Sequence, residues 1–190
     1  MKNIAKMELI FFCLEPYLCL AWFILYLYYF FDENSTTAPL WIVLAIIIAA
    51  VIICEIHYRS NAKYIATVPV SRYLSKAAFI VKCWHIPFYI LLFVICVLCS
   101  LLIIAPVIGV FMTGGIWFLS FCADYVTLLV SDVLLWGAIK ASDKDHIIST
   151  AIRFVLDFFA LFFVFDFFIA LSMSSKTKKL WKASLQRMYY

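Results

Sequence analysis

Five apolar blocks, at about residues 9–31, 40–54, 83–105, 116–139 and 147–171, most constrain how this chain can fold. Crossing the hydrocarbon core of a bilayer takes about 20 apolar residues in a helix. Backbone amides and carbonyls have no water to bind there, so such blocks must form helices rather than open strands. Of the 190 residues, 67% are hydrophobic and only 14% charged. A soluble domain is about half apolar and about a quarter charged, so one globular core could not hide this much apolar surface. The expectation is an all-α, polytopic transmembrane bundle, one integral membrane domain over 1–190 with five or six spans. The lipid bilayer is then its first partner.

Charge assigns the sides. The stretch 55–82 (EIHYRSNAKYIATVPVSRYLSKAAFIVK) carries Arg59, Lys63, Arg72, Lys76 and Lys82, and no acid after Glu55. A basic connector between spans marks the cytoplasmic face. Pro69 should interrupt any helix there, Ser71 is positioned to cap the next one, and Tyr58, Tyr64 and Tyr73 suit headgroup level. The opposite connector, 32–38 (DENSTTA), has no Lys or Arg, and Tyr26, Tyr28, Tyr29 and Trp41 flank it as an interfacial belt. The first block contains Glu15 and no small-residue cleavage site, so it reads as a retained span rather than a signal peptide. The tail 172–190 is basic again, with Lys176, Lys178, Lys179, Lys182 and Arg187. Five simple crossings would put that tail outside, against the positive-inside bias. Three arrangements remain open: three short passes within 86–139, a re-entrant fifth block, or an external tail. Both termini inside is the preferred expectation. The net charge of +4 comes from two basic clusters and points to orientation and anionic lipid, not nucleic acid.

Chemistry is sparse. The seven cysteines, Cys13, Cys19, Cys54, Cys83, Cys96, Cys99 and Cys122, all lie in or beside apolar blocks, which suits packing rather than a disulfide framework. His57, His85 and His146 are scattered, and no metal or cofactor motif is present. Cys83 and His85 are close in sequence, but residues two apart on a helix point away from each other. A membrane cysteine hydrolase is therefore a remote reading, and no catalytic residue is assigned.

The fourth block carries the most informative pattern. Ser120, Asp124, Thr127 and Ser131 are spaced four, three and four residues apart, with Asp132 flanking them, so they share one helix face. An ionisable group at bilayer depth costs about 2.5–3.5 kcal/mol and persists where it faces a bundle interior, a partner or water. The stripe reads either as the lining of a pathway or as an interhelical hydrogen-bond seam. Further charges lie in apolar surroundings. Glu15 precedes Pro16, where a kink would free a carbonyl. Arg153 and Asp157 are four apart and can pair along one helix. Asp166 sits alone in FVFDFFI and must find a partner elsewhere or lie near an interface; Arg153 of a neighbouring copy is one candidate, and nothing in the sequence selects it.

The segment TVPVSRYLSK, residues 67–76, resembles the "PVSR…SK" segment of bacterial ABC exporter permease subunits. As in that family, it follows two spans on the cytoplasmic side and leads into the third. The resemblance implies a helical permease of the bacterial inner membrane, an ATPase subunit as partner, and a second permease copy or paralogue. It implies that Pro69, Ser71, Arg72 and Lys76 couple the permease to the ATPase. Read from the residues alone, the same segment is a basic inner loop. Two function classes therefore stand: a transport-related permease-like subunit, or a non-transporting membrane protein of assembly, sensing or immunity whose polar stripe is structural.

Overall fold

The computed structural model describes residues 2–30, 38–65, 68–100, 125, 127–128, 131–159 and 163–189. They form helices α1 (Lys2–Phe30), α2 (Ala38–Ile65), α3 (Val70–Ser100), α4 (131–144), α5 (Thr150–Phe159) and α6 (Phe163–Tyr189). No strand is present among the described residues. Among the described residues, three segments are long and apolar enough to cross a membrane: Ile4–Tyr26, Pro39–Tyr64 and Val70–Leu98. The second and third exceed their apolar blocks because the residues of the basic stretch are themselves helical. Residues 55–65 finish α2 and 70–82 begin α3, with Val68 and Pro69 outside the helices.

α1 and α2 form an antiparallel hairpin whose two ends differ in chemistry. At the end carrying the 31–37 connector, Trp22 Nε1 donates to the Leu40 carbonyl at 2.6 Å, and Trp22, Tyr26 and Trp41 pack ring against ring. At the other end Glu8 pairs with His57, and Tyr58 is buried between Phe12 and Tyr73. Tyr58 thus serves the core rather than the surface, whereas Tyr64 is exposed. α3 starts at this basic end, with Pro69 supplying the carbonyl that accepts the first helical bond from Tyr73. Ser71 lies inside that first turn and does not cap it. Its buried hydroxyl has no hydrogen-bond partner among the described residues.

α3 is the axis of the bundle and packs against α1, α2 and α6. Its contacts fix the direction of α6. Lys82 meets Asp166, Phe79 meets Phe167, and Ser75 meets Thr177, so α6 descends as α3 climbs. Lys176, Lys178, Lys179 and Lys182 therefore lie towards the end where α3 begins. α4 is also antiparallel to α3, since Asp132 lies at Lys82 and Gly137 lies nearer the basic end, beside Leu74 and Arg59. A Cβ on Gly137 would stand 3.2 Å from Arg59 Nε, so glycine lets α4 close on α2 there.

The fifth apolar block is not one rod. α5 has 10 residues, about 15 Å of helix, half of a 30 Å hydrocarbon core. It starts where Thr150 and Arg153 bind Asp143 at the end of α4, and it ends where Phe159 meets Phe165 of α6 at 5.3 Å. The next residue, Asp166, is already at the depth of Lys82. α5 thus retraces roughly the length of α4 between Asp143 and Asp132.

Candidate functional site

The site is assembled on one face of α3. Ser71, Ser75, Ala78, Lys82 and His85 recur at spacings of four, three, four and three, which stacks them along one side of a helix. All five are buried. Successive members reach different helices. Ser75 shares a hydrogen bond with Thr177 of α6 at 2.9 Å, and Thr177 also bonds the Met173 carbonyl at 2.8 Å. Lys82 reaches α4 and α6. His85 reaches α1.

Lys82 is the centre. Its ammonium donates to Ser131 Oγ at 2.6 Å, to Asp132 Oδ1 at 2.5 Å, and to Asp166 Oδ2. Ser131 in turn donates to the Leu128 carbonyl at 2.9 Å, which aims its lone pairs at the lysine. The side chains of Lys82, Asp132 and Asp166 are 3%, 0% and 2% exposed, so water screens none of these charges. An ammonium has three donors, and all three are used. The carboxylates are not equally served, because Asp132 Oδ2 is buried with no hydrogen-bond partner among the described residues. With both carboxylates ionised the cluster carries one negative charge more than positive.

One turn along, the chemistry is neutral and has a different origin. Pro16 lacks the amide that would bind the carbonyl four residues back, Phe12. His85 Nε2 donates to that Phe12 carbonyl at 2.9 Å. α1 runs on as a helix through Pro16, so the carbonyl the proline releases becomes a docking point for α3. Tyr17 returns the favour, donating its hydroxyl to the Trp84 carbonyl at 2.9 Å, three residues before Pro87 inside α3. Two prolines in facing helices are thus each accompanied by a cross-helix bond.

The structure brings together part of the sequence-derived set. Thr127, Ser131 and Asp132 are buried and turned into the bundle, while Ser120 and Asp124 lie outside the described residues. Asp166 finds its partner in Lys82 of the same chain, a choice among candidates that the sequence left open. Arg153 pairs with Asp157 at 3.5 Å, as the spacing predicts, and also with Asp143 at 3.2 Å. Glu15 is buried and apart from the cluster, accepting from Cys19 Sγ at 3.4 Å. Ser71, Arg72 and Lys76 sit on the first turns of α3 and Pro69 just before it, with Arg72 half-buried and Lys76 exposed. Cys83 is half-buried, and the His85 ring is engaged with Phe12 instead.

Lys82 is the functional residue that sequence reasoning missed. It closes the basic stretch and reads there as one more inner-face cation. The signal was the stripe it belongs to, since a lysine in register with Ser71, Ser75 and His85 lies on a polar inward face.

Comparison with known proteins gives one family. The model of a family of unknown function (DUF6652) matches residues 6–179, which include every residue of the cluster. No curated protein and no solved structure matches the chain.

Proposed function

This chain belongs to the family of unknown function DUF6652, and we propose that it is an integral membrane subunit of the transport class, permease-like and working with an ATPase. The observation that carries this reading is the continuity of α3. One unbroken helix bears Arg72 and Lys76 at its basic end and Lys82 in the buried cluster. From Lys76 to Lys82 is six residues, about 9 Å of helix. A partner pressing on the basic end moves Lys82 against Asp132 and Asp166 with no hinge between them. The charge imbalance of the cluster supports the same reading. Buried beside a single ammonium, the second carboxylate calls for a proton, and carboxylates at membrane depth recur in proton pathways.

In this reading the basic end faces the cytoplasm. α1, α2 and α3 cross the bilayer, and α4 runs back towards the cytoplasmic side. α5 and the start of α6 form a re-entrant pair that enters from the cytoplasmic side and returns to it. The crossing number is even, and both termini lie inside. α3 and α4 bury Asp166 at the start of α6, whereas α5 has no buried residue and, as a helix with its backbone bonds made internally, meets lipid through its apolar side chains.

A second reading keeps the membrane topology and drops transport. Lys82 spends all three donors on oxygens of its own chain, so the cluster also serves as a closed pin for assembly. Affinity purification of the tagged chain from native membranes separates the two. The transport reading expects an ATPase subunit to be recovered with it, and Arg72→Glu to reduce that recovery at least tenfold with the bundle intact. Absence of any ATPase, with the variant indistinguishable from the parent, would leave the pin.

A further inference from the structure

At the basic end, α1, α3 and the end of α2 line a half-open cavity of about 450 Å³. This is within the size range of small-ligand sites. Its walls include three cations, Lys6, Arg72 and Lys76, and no carboxylate. None of the three is ion-paired among the described residues. This separates them from Lys82, Arg153 and His57, which all have carboxylate partners.

The lining is graded with depth. α1 and α3 both run away from the basic end, so higher residue numbers on them lie deeper. Lys6, Arg72 and Lys76 form the rim, with Tyr73 beside them. Leu9, one turn beyond Lys6, and Ile80, one turn beyond Lys76, lie below it with Ala77. A ligand matched to this cavity has an anionic group at the rim and an apolar continuation directed into the bundle. That is the polarity of a glycerophospholipid in the leaflet on the same side. Basic pockets between membrane helices on the cytoplasmic side recognise such headgroups.

We propose that the cavity bordered by Lys6, Arg72 and Lys76 binds the phosphate of an anionic glycerophospholipid, with an acyl chain leaving past Leu9 and Ile80. The bound lipid joins α1 to the first turns of α3, the segment that the transport reading assigns to partner contact. The site rests on the basic end lying at a membrane interface. It does not require an ATPase, so its failure leaves the charge cluster untouched.

The test is thermal unfolding of the full chain in neutral detergent, titrated with phosphatidylglycerol, phosphatidylcholine or inorganic phosphate. Phosphatidylglycerol should raise the melting midpoint in a saturable manner, and phosphatidylcholine should not. Lys76→Gln removes one charge-assisted contact from an exposed side chain and should weaken the apparent affinity about tenfold. Lys6→Gln should do the same, while Lys179→Gln on the tail should leave it unchanged. Equal stabilisation by phosphatidylcholine would overturn the site, as would a phosphatidylglycerol response that survives both cavity variants. Equal stabilisation by inorganic phosphate would assign the cations to a free anion and overturn the lipid.

Discussion

The two seams that α3 makes are built from opposite materials. Against α1 it uses single neutral hydrogen bonds, His85 to the Phe12 carbonyl and Tyr17 to the Trp84 carbonyl. Against α4 and α6 it uses formal charge, with Lys82 held by Asp132 and Asp166. The two seams lie one helical turn apart on the same face of α3. The difference teaches where loss is tolerable. A neutral bond removed leaves one polar group short of a partner, whereas an ion removed from the cluster leaves opposite charge stranded in an apolar interior.

Lys82→Leu should therefore have the largest effect. It strands two carboxylates and should cost at least the 3–5 kcal/mol, roughly, that follows the loss of one partner of a buried ion pair. Denaturation in mixed micelles reads this directly. Replacing all three charges with leucine of similar bulk should recover most of that loss, because packed apolar groups often match a buried ion cluster. Should the triple variant be as unstable as Lys82→Leu, packing rather than charge governs the seam.

His85→Leu comes next, at about 1–3 kcal/mol, the cost of leaving a buried carbonyl unsatisfied. That cost should shrink in the background of Pro16→Ala, where the restored amide at position 16 can bind Phe12 within α1. The double-mutant cycle over positions 16 and 85 measures this. A coupling of zero would mean that His85 does not answer the proline. The smallest effect belongs to Ser75→Ala, about 0.6 kcal/mol, the average for hydrogen bonds between membrane helices. Thr177 keeps its bond to the Met173 carbonyl in that variant, which limits the loss.

How much of this was legible in the sequence follows the same division. Apolar length announced α1, α2 and α3, because a run long enough for a bilayer has one economical fold. Pro69 announced the break between α2 and α3 through its missing amide. The inward turn of Thr127, Ser131 and Asp132 followed from a helical repeat of polar residues. Pairing was not legible. Asp166 lies 84 residues from Lys82, and no local pattern connects them. A re-entrant 147–171 block was one of three arrangements left open, and nothing in its apolar run selected it, since its division into α5 and α6 depends on where Asp166 must sit. The role of Lys82 was obscured by its company. Four cations of the 55–82 stretch lie earlier in the chain, and only the register with Ser71, Ser75 and His85 sets it apart.

α6 descends beside α3 in one register, and that register brings Asp166 to Lys82. Ser75 Oγ and Thr177 Oγ1 are 2.9 Å apart in that register. In a background lacking the native cysteines, Ser75→Cys with Thr177→Cys should cross-link rapidly in native membranes under mild oxidation, while Ser75→Cys with Ser184→Cys, two helical turns further along, should not. Failure of the first pair to cross-link, or equal cross-linking of the second, would contradict the register and with it the buried cluster.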